Sequence, residues 1–157
     1  MPTLSAKVRT CLWFNGNGHE AAAFYISLLP ESYFEDGYVP NPEKAPLVVE
    51  FMLCGAPFMI LNGGPTFTHS PAASISVLTK TQAETDHLWS SLTDNGGEES
   101  MCGWLKDRFG VSWQIVPEAL PMMLSSDDKI AAQRAQAAMM KMKKLNIAAL
   151  EAAFNQQ

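Results

Sequence analysis

VRTCLWFNGNGHEAAAFYISLLP, residues 8–30, reads as a strand, a tight turn, an amphipathic helix and a stop, and the same order returns later in the chain. The return decides the fold. ASISVL (73–78) precedes AETDHLWSSL (83–92), and the hairpin VVEFMLCGAPFMIL (48–61) is matched by GWLKDRFGVSWQIV (103–116). Aligning Phe24-Tyr25 with Leu88-Trp89 gives an offset of 64 residues, whereas aligning the pivots Gly55 and Gly110 gives 55. The first copy, Val8–Gly63, therefore carries about nine residues after its helix that the second, Ala73–Pro117, lacks.

Val8–Phe14 is the first strand, and Asn15-Gly16-Asn17-Gly18 suits a turn and a helix start. Ala21, Phe24, Tyr25 and Leu28 form the apolar stripe of a helix over His19–Leu29, which Pro30 stops. A short strand is expected within Tyr33–Tyr38, then a proline-rich excursion through Pro40, Pro42 and Pro46. Leu47–Cys54 and Phe58–Leu61 follow as a hairpin. In the second copy Ile75 and Val77 share one strand face and Ser74 and Ser76 the other; Gln82–Leu92 is the helix, ended by Asn95-Gly96-Gly97. Gly103–Lys106 and Val111–Val116 flank a charged turn, Asp107-Arg108-Phe109-Gly110, with Val111, Trp113 and Ile115 opposite Ser112, Gln114 and Val116. The tail predicts helices over Asp127–Lys143 behind a Ser126 cap and Ile147–Phe154 behind Asn146.

The chain has 157 residues, 47% of them hydrophobic, enough for a substantial core in one domain built of two modules. Its net charge of −5, without a basic run, argues against nucleic-acid binding. The longest apolar stretch, Pro46–Leu61, is broken by Glu50, Gly55 and Pro57, so a cytoplasmic protein without a membrane partner is expected. Cys11, Cys54 and Cys102 lack CxxC spacing and read as reduced thiols packed in the core.

Thr10 matches Ser74 by the first offset, and Met59 matches Gln114 by the second. If the copies close on one another, these four line a cup with hydrogen-bonding groups on an apolar wall, joined by Ser76 and the aromatic surface of Trp104. A sheet face turned to water accounts for Ser74, Ser76 and Ser112 equally well, and Trp113 can face a helix instead. No metal site is expected: His19, His69 and His87 share no ligand spacing and read as surface or capping residues. Cys102 near Lys106 has the makings of an activated thiol, but reads better as a packed strand residue beside an ordinary charged turn. Gly63-Gly64 and Gly96-Gly97 do not fit GxGxxG, so no nucleotide or methyl-donor cofactor is expected. Met139, Met140 and Met142 read as core filling or a subunit contact.

Taken together, LWFNGNGHEAAAFYISLLP, FMLCGAPFMILNGGP and CGWLKDRFGVSWQIVP, with the terminal MMKMKKLNIAALEAAF, resemble the PhnB-like subgroup of the vicinal-oxygen-chelate superfamily, which includes glyoxalases and bleomycin-resistance proteins. The resemblance implies an α+β fold, two βαβββ modules forming a cupped mixed sheet with a C-terminal helical tail, commonly as a homodimer. Metal-bearing members carry His, Gln or Glu on the first and last strands of each module; those positions fall here at Thr10, Met59, Ser74 and Gln114. The expectation is therefore a cup without a metal that binds a small organic ligand. The alternatives are a metal-dependent lyase or dioxygenase, or the 3-demethylubiquinone 3-methyltransferase for which some domains of the subgroup are labelled.

Overall fold

The computed structural model describes residues 6–156, so the expected domain of 1–157 extends past them at both ends. The chain forms two compact units, the first ending at Thr68 and the second beginning at His69. In the first unit, β1 (Thr10–Phe14), α1 (Gly18–Leu28), β2 (Tyr33–Phe34), β3 (Val48–Leu53) and β4 (Ala56–Asn62) form a sheet of order β1-β4-β3-β2. In the second, β5 (Ser74–Thr79), α2 (Gln82–Thr93), β6 (Glu98–Glu99), β7 (Trp104–Lys106) and β8 (Ser112–Pro117) form β5-β8-β7-β6. Each unit contains a βαβββ module, as the resemblance implies, and in each the first and last strands run parallel. The short helix Ala119–Leu124 that follows the second module is unexpected from the sequence, and of the strands only β6 is. Its two glutamates have no strand periodicity, and it exists because Glu98 and Glu99 pair with Lys106 and Leu105.

Alternation explains which face each sheet buries. In the first unit Leu12, Phe14, Val49, Phe51, Leu53, Phe58 and Ile60 are buried on the side covered by α1, which contributes Ala21, Ala22 and Tyr25. The two alanines let the helix lie close. Asn62 Oδ1 accepts from the Gly18 N–H at 2.8 Å, so α1 takes its capping group from β4 rather than from Asn17. In the second unit Thr85, Leu88, Trp89 and Leu92 of α2 lie on the side of Leu105, Trp113 and Ile115. Thr81 caps this helix by accepting from Glu84 N–H.

The charged turn differs from its expected form. Asp107 is 1% exposed: Oδ1 accepts from the Phe109 and Val111 N–H groups at 2.9 and 3.0 Å, and Oδ2 accepts from Trp113 Nε1 at 2.9 Å. It is a buried anchor of the hairpin. The cysteines also depart from expectation, Cys11 and Cys54 being exposed and Cys102 half-buried at φ 60° in a turn rather than in a strand.

After β8 come α3 (Ala119–Leu124), α4 (Lys129–Met139) and α5 (Ile147–Asn155). Asp128, not Ser126, caps α4, accepting from Ala131 N–H, whereas Asn146 caps α5 as expected. α4 ends at Met139, short of the expected Lys143, and beyond it the carbonyls of Met142 and Lys143 accept from Cys102 and Gly103 N–H. Leu120, Leu145 and Leu150 form the tail's own core. No helix among the described residues is long and apolar enough to cross a membrane.

Lys144, and after it Gln82, hold the Asp86 carboxyl below the usual carboxylate range. A depressed pKa in the folded state stabilises above the unfolded value and is lost as pH falls through the folded one. Acid unfolding should therefore flatten slightly in Asp86→Asn. Both side chains are 40–47% exposed, so the expected effect is only roughly a few tenths of a kcal/mol in a urea titration repeated across the acid range.

Candidate functional site

The side of the second sheet facing away from α2 is polar. Parallel pairing sets Ser74 beside Ser112 and Ser76 beside Gln114, while antiparallel pairing sets Trp104 beside Gln114 and Lys106 beside Ser112. Two rows result: Ser76, Gln114 and Trp104, then Ser74, Ser112, Lys106 and, through β6, Glu98. Gln114 Nε2 donates to Ser74 Oγ at 2.9 Å, linking the rows and leaving the Gln114 amide oxygen as an acceptor. Thus Ser74, Ser76, Trp104 and Gln114 are brought together. Trp113 is not among them, being 1% exposed on the helix side.

A cleft of about 550 Å³ lies along the β7 edge of this face. Its wall includes Met101, Cys102, Trp104, Lys106 and Ser112; of the four residues brought together on this face only Trp104 lines it, and Ser74, Ser76 and Gln114 do not. The charges there are matched in pairs: Lys106 Nζ lies 3.1 Å from Glu98 Oε2, and Glu99 accepts from Trp89 Nε1 at 2.7 Å and has Lys143 Nζ at 3.9 Å. What remains open to a visitor is chiefly an indole face, a thioether and neutral hydrogen-bonding groups.

The first unit corrects the expected equivalences. Thr10 pairs with Phe58 and lies on the same strand face as Leu12 and Phe14, the side of α1, whereas Met59 pairs with Cys11 on the opposite side. Thr10 and Met59 therefore do not share a face. The strand offset is 65, because Phe14 and Thr79 end β1 and β5, so Arg9 and Cys11 are the counterparts of Ser74 and Ser76. Where the second unit has Ser74, the first has a cation. Arg9 pairs with Glu35 and, at 3.5 Å, with Glu50, and donates to Phe58 O at 3.1 Å. Hydrogen bonding to Glu35 raises the Arg9 pKa further. The sequence gives no sign of this cluster because its members are spread over 41 positions and join only when β1, β4, β3 and β2 assemble into one sheet.

Metal chemistry needs His, carboxylate or thiolate donors that converge. Here the strand positions at which the resemblance places ligands hold Thr10, Met59, Ser74 and Gln114, and the observed register sets Arg9, Cys11 and Ser76 beside them. That donor set does not fit a catalytic ion. Among the described residues no group of three or more His, Cys, Asp or Glu could hold one. His87 is exposed, as expected, but His19 is 3% exposed and neither ring nitrogen has a hydrogen-bond partner among the described residues. Burying unpaired polar atoms costs free energy that a leucine of similar size avoids. His19→Leu should raise stability by about 1 kcal/mol, read as a higher urea midpoint; a lower midpoint would show that the imidazole is satisfied.

The 3-demethylubiquinone-9 3-methyltransferase family profile matches residues 6–116. The structure is similar to the PhnB protein of Bacillus cereus, with 32% identity and a TM-score of 0.62 over 71% of this chain and 99% of that one. It is also similar to protein PA1353 of Pseudomonas aeruginosa, at 25% identity and 0.57 over 73% and 98%. The fosfomycin resistance protein FosX of Listeria monocytogenes, solved in a variant form with Mn(II) and a dihydroxypropylphosphonic acid, shares the fold at 12% identity, with a TM-score of 0.53 over 78% of this chain and all of that one. No curated protein matches the sequence. The family match ends before the terminal helices, so it does not reach the segment MMKMKKLNIAALEAAF.

Proposed function

Because the chain belongs to the PhnB-like 3-demethylubiquinone-9 3-methyltransferase family of the vicinal-oxygen-chelate superfamily, we propose that it binds a small, uncharged, largely apolar organic molecule on the polar face of its second sheet. The cleft of about 550 Å³ beside Trp104 carries this reading, since small-molecule sites are concave, mostly apolar and supplied with a few polar groups. Trp104 would stack on the ligand, and a ligand reaching past Trp104 onto the sheet face would meet the amide oxygen of Gln114, the strand partner of Trp104, which does not itself line the cleft. The paired charges in the cleft wall favour an uncharged ligand, so added salt should barely change affinity. A cytoplasmic homodimer is part of the same proposal.

Isothermal titration against a metabolite library tests it. Ligands found this way should bind Trp104→Ala and Gln114→Ala about tenfold more weakly, a loss of about 1.4 kcal/mol. Unchanged affinity in both variants removes the site. The family description favours a second reading, methyl transfer; saturable binding of S-adenosylmethionine in the same calorimeter would support it over simple binding.

A further inference from the structure

The chain continues well beyond the matched residues 6–116, and the continuation holds part of the cleft wall from behind. Met101 and Cys102 line the cleft, and the loop they belong to is held by the segment between α4 and α5. Cys102 N–H donates to Met142 O at 2.7 Å and Gly103 N–H to Lys143 O at 2.8 Å. The fit is tight at Gly103. A Cβ there would meet Ile115 O at 2.9 Å and Leu145 Cδ1 at 3.0 Å, and its φ of +83° suits glycine.

The same segment is fastened to α2. Gln82 Nε2 donates to Leu145 O at 3.1 Å while its Oε1 accepts from Ile147 N–H at 2.8 Å, so one side chain spans the end of the segment and the start of α5. Lys144 pairs with Asp86 at 2.8 Å, and Lys143 approaches Glu99, itself part of the cleft wall. Leu145, fully buried with Leu120 and Leu150, anchors the segment from within. The tail therefore meets the loop through backbone bonds, a shared packing contact and a charge.

We propose that the C-terminal tail is a specificity-determining part of the ligand site: residues 140–147 fix the loop 100–103, and Gln82 is the positioning residue that fixes those tail residues. This deepens the proposed function and rests on it. Ligand selectivity then depends on side chains that the ligand does not touch. A backbone wall held from behind sets cleft width, and width decides which apolar bodies can lie on Trp104.

The test uses the full chain and N-phenylnaphthylamine, an uncharged aromatic fluorophore that matches the chemistry of the cleft. Three variants are compared with the wild type: Trp104→Ala, Gln82→Ala, and Leu92→Val, a core change on α2 outside these contacts. Gln82→Ala is expected to weaken probe binding about fivefold and to speed amide exchange at Cys102 and Gly103 about tenfold. Leu92→Val, also destabilising, should change neither. Wild-type affinity and exchange in Gln82→Ala, or equal losses in Leu92→Val, overturn the tail proposal. Failure of the probe to bind, or binding insensitive to Trp104→Ala, overturns the site itself, and amide exchange then still decides whether the tail holds the loop.

Discussion

Asp107→Ala is expected to lower the stability of the second unit by about 4 kcal/mol, seen as a large fall in urea midpoint by tryptophan fluorescence. The carboxylate accepts three hydrogen bonds while almost wholly buried, two from backbone N–H groups in the turn and one from the indole of Trp113. Alanine leaves all three donors without that acceptor. Each orphaned buried donor costs about 1–3 kcal/mol, less than additively in one network. Asparagine separates the contributions. Its oxygen can keep the Phe109 and Val111 bonds, but its amide nitrogen then faces the Trp113 N–H, so Asp107→Asn should lose about 1–2 kcal/mol. Full stability in Asp107→Asn would show that the indole bond contributes nothing. Function should follow stability, because the anchored turn sets the register that places Trp104 beside Gln114.

How much of this was legible depends on what each residue needs. Strand alternation and helix stripes are local, so both modules and the polar face with Ser74, Ser76 and Gln114 could be read from the chain. The error at Thr10 has a specific origin. Three residues, 15–17, join β1 to α1, whereas two, 80–81, join β5 to α2. An offset measured on helices is therefore one short for strands, and one residue turns a side chain through the sheet. Asp107 and His19 were misplaced for another reason: composition makes an ionisable residue look exposed, and only the folded chain shows the donors around Asp107 or the burial of His19. The Arg9–Glu35–Glu50 cluster and the Gln82 contacts with the tail join distant segments and have no sequence period at all.

Gly18→Ala is the second large effect expected, a loss of about 3 kcal/mol in the first unit despite alanine's better helix propensity. As the first residue of α1 and not at positive φ, Gly18 would ordinarily gain from a methyl group. Space decides the sign. An added Cβ would lie 2.0 Å from Ile60 Cγ2, 2.8 Å from Asn62 Oδ1 and 2.9 Å from Phe14 Cδ2. Ile60 and Phe14 are core residues with no room to retreat, and Asn62 is fixed by accepting from Gly18 N–H and donating to Pro46 O at 2.8 Å. The helix start must therefore lift, breaking the Asn62 cap and loosening the tether of Pro46, which ends the proline-rich excursion. Gly16→Ala is the control: its φ of +87° strains an alanine, but nothing lies within 4 Å, so about 1 kcal/mol is expected. Urea unfolding of the two variants beside the wild type orders them. If Gly18→Ala proves no less stable than Gly16→Ala, close approach of helix to sheet is not what requires glycine at the start of α1.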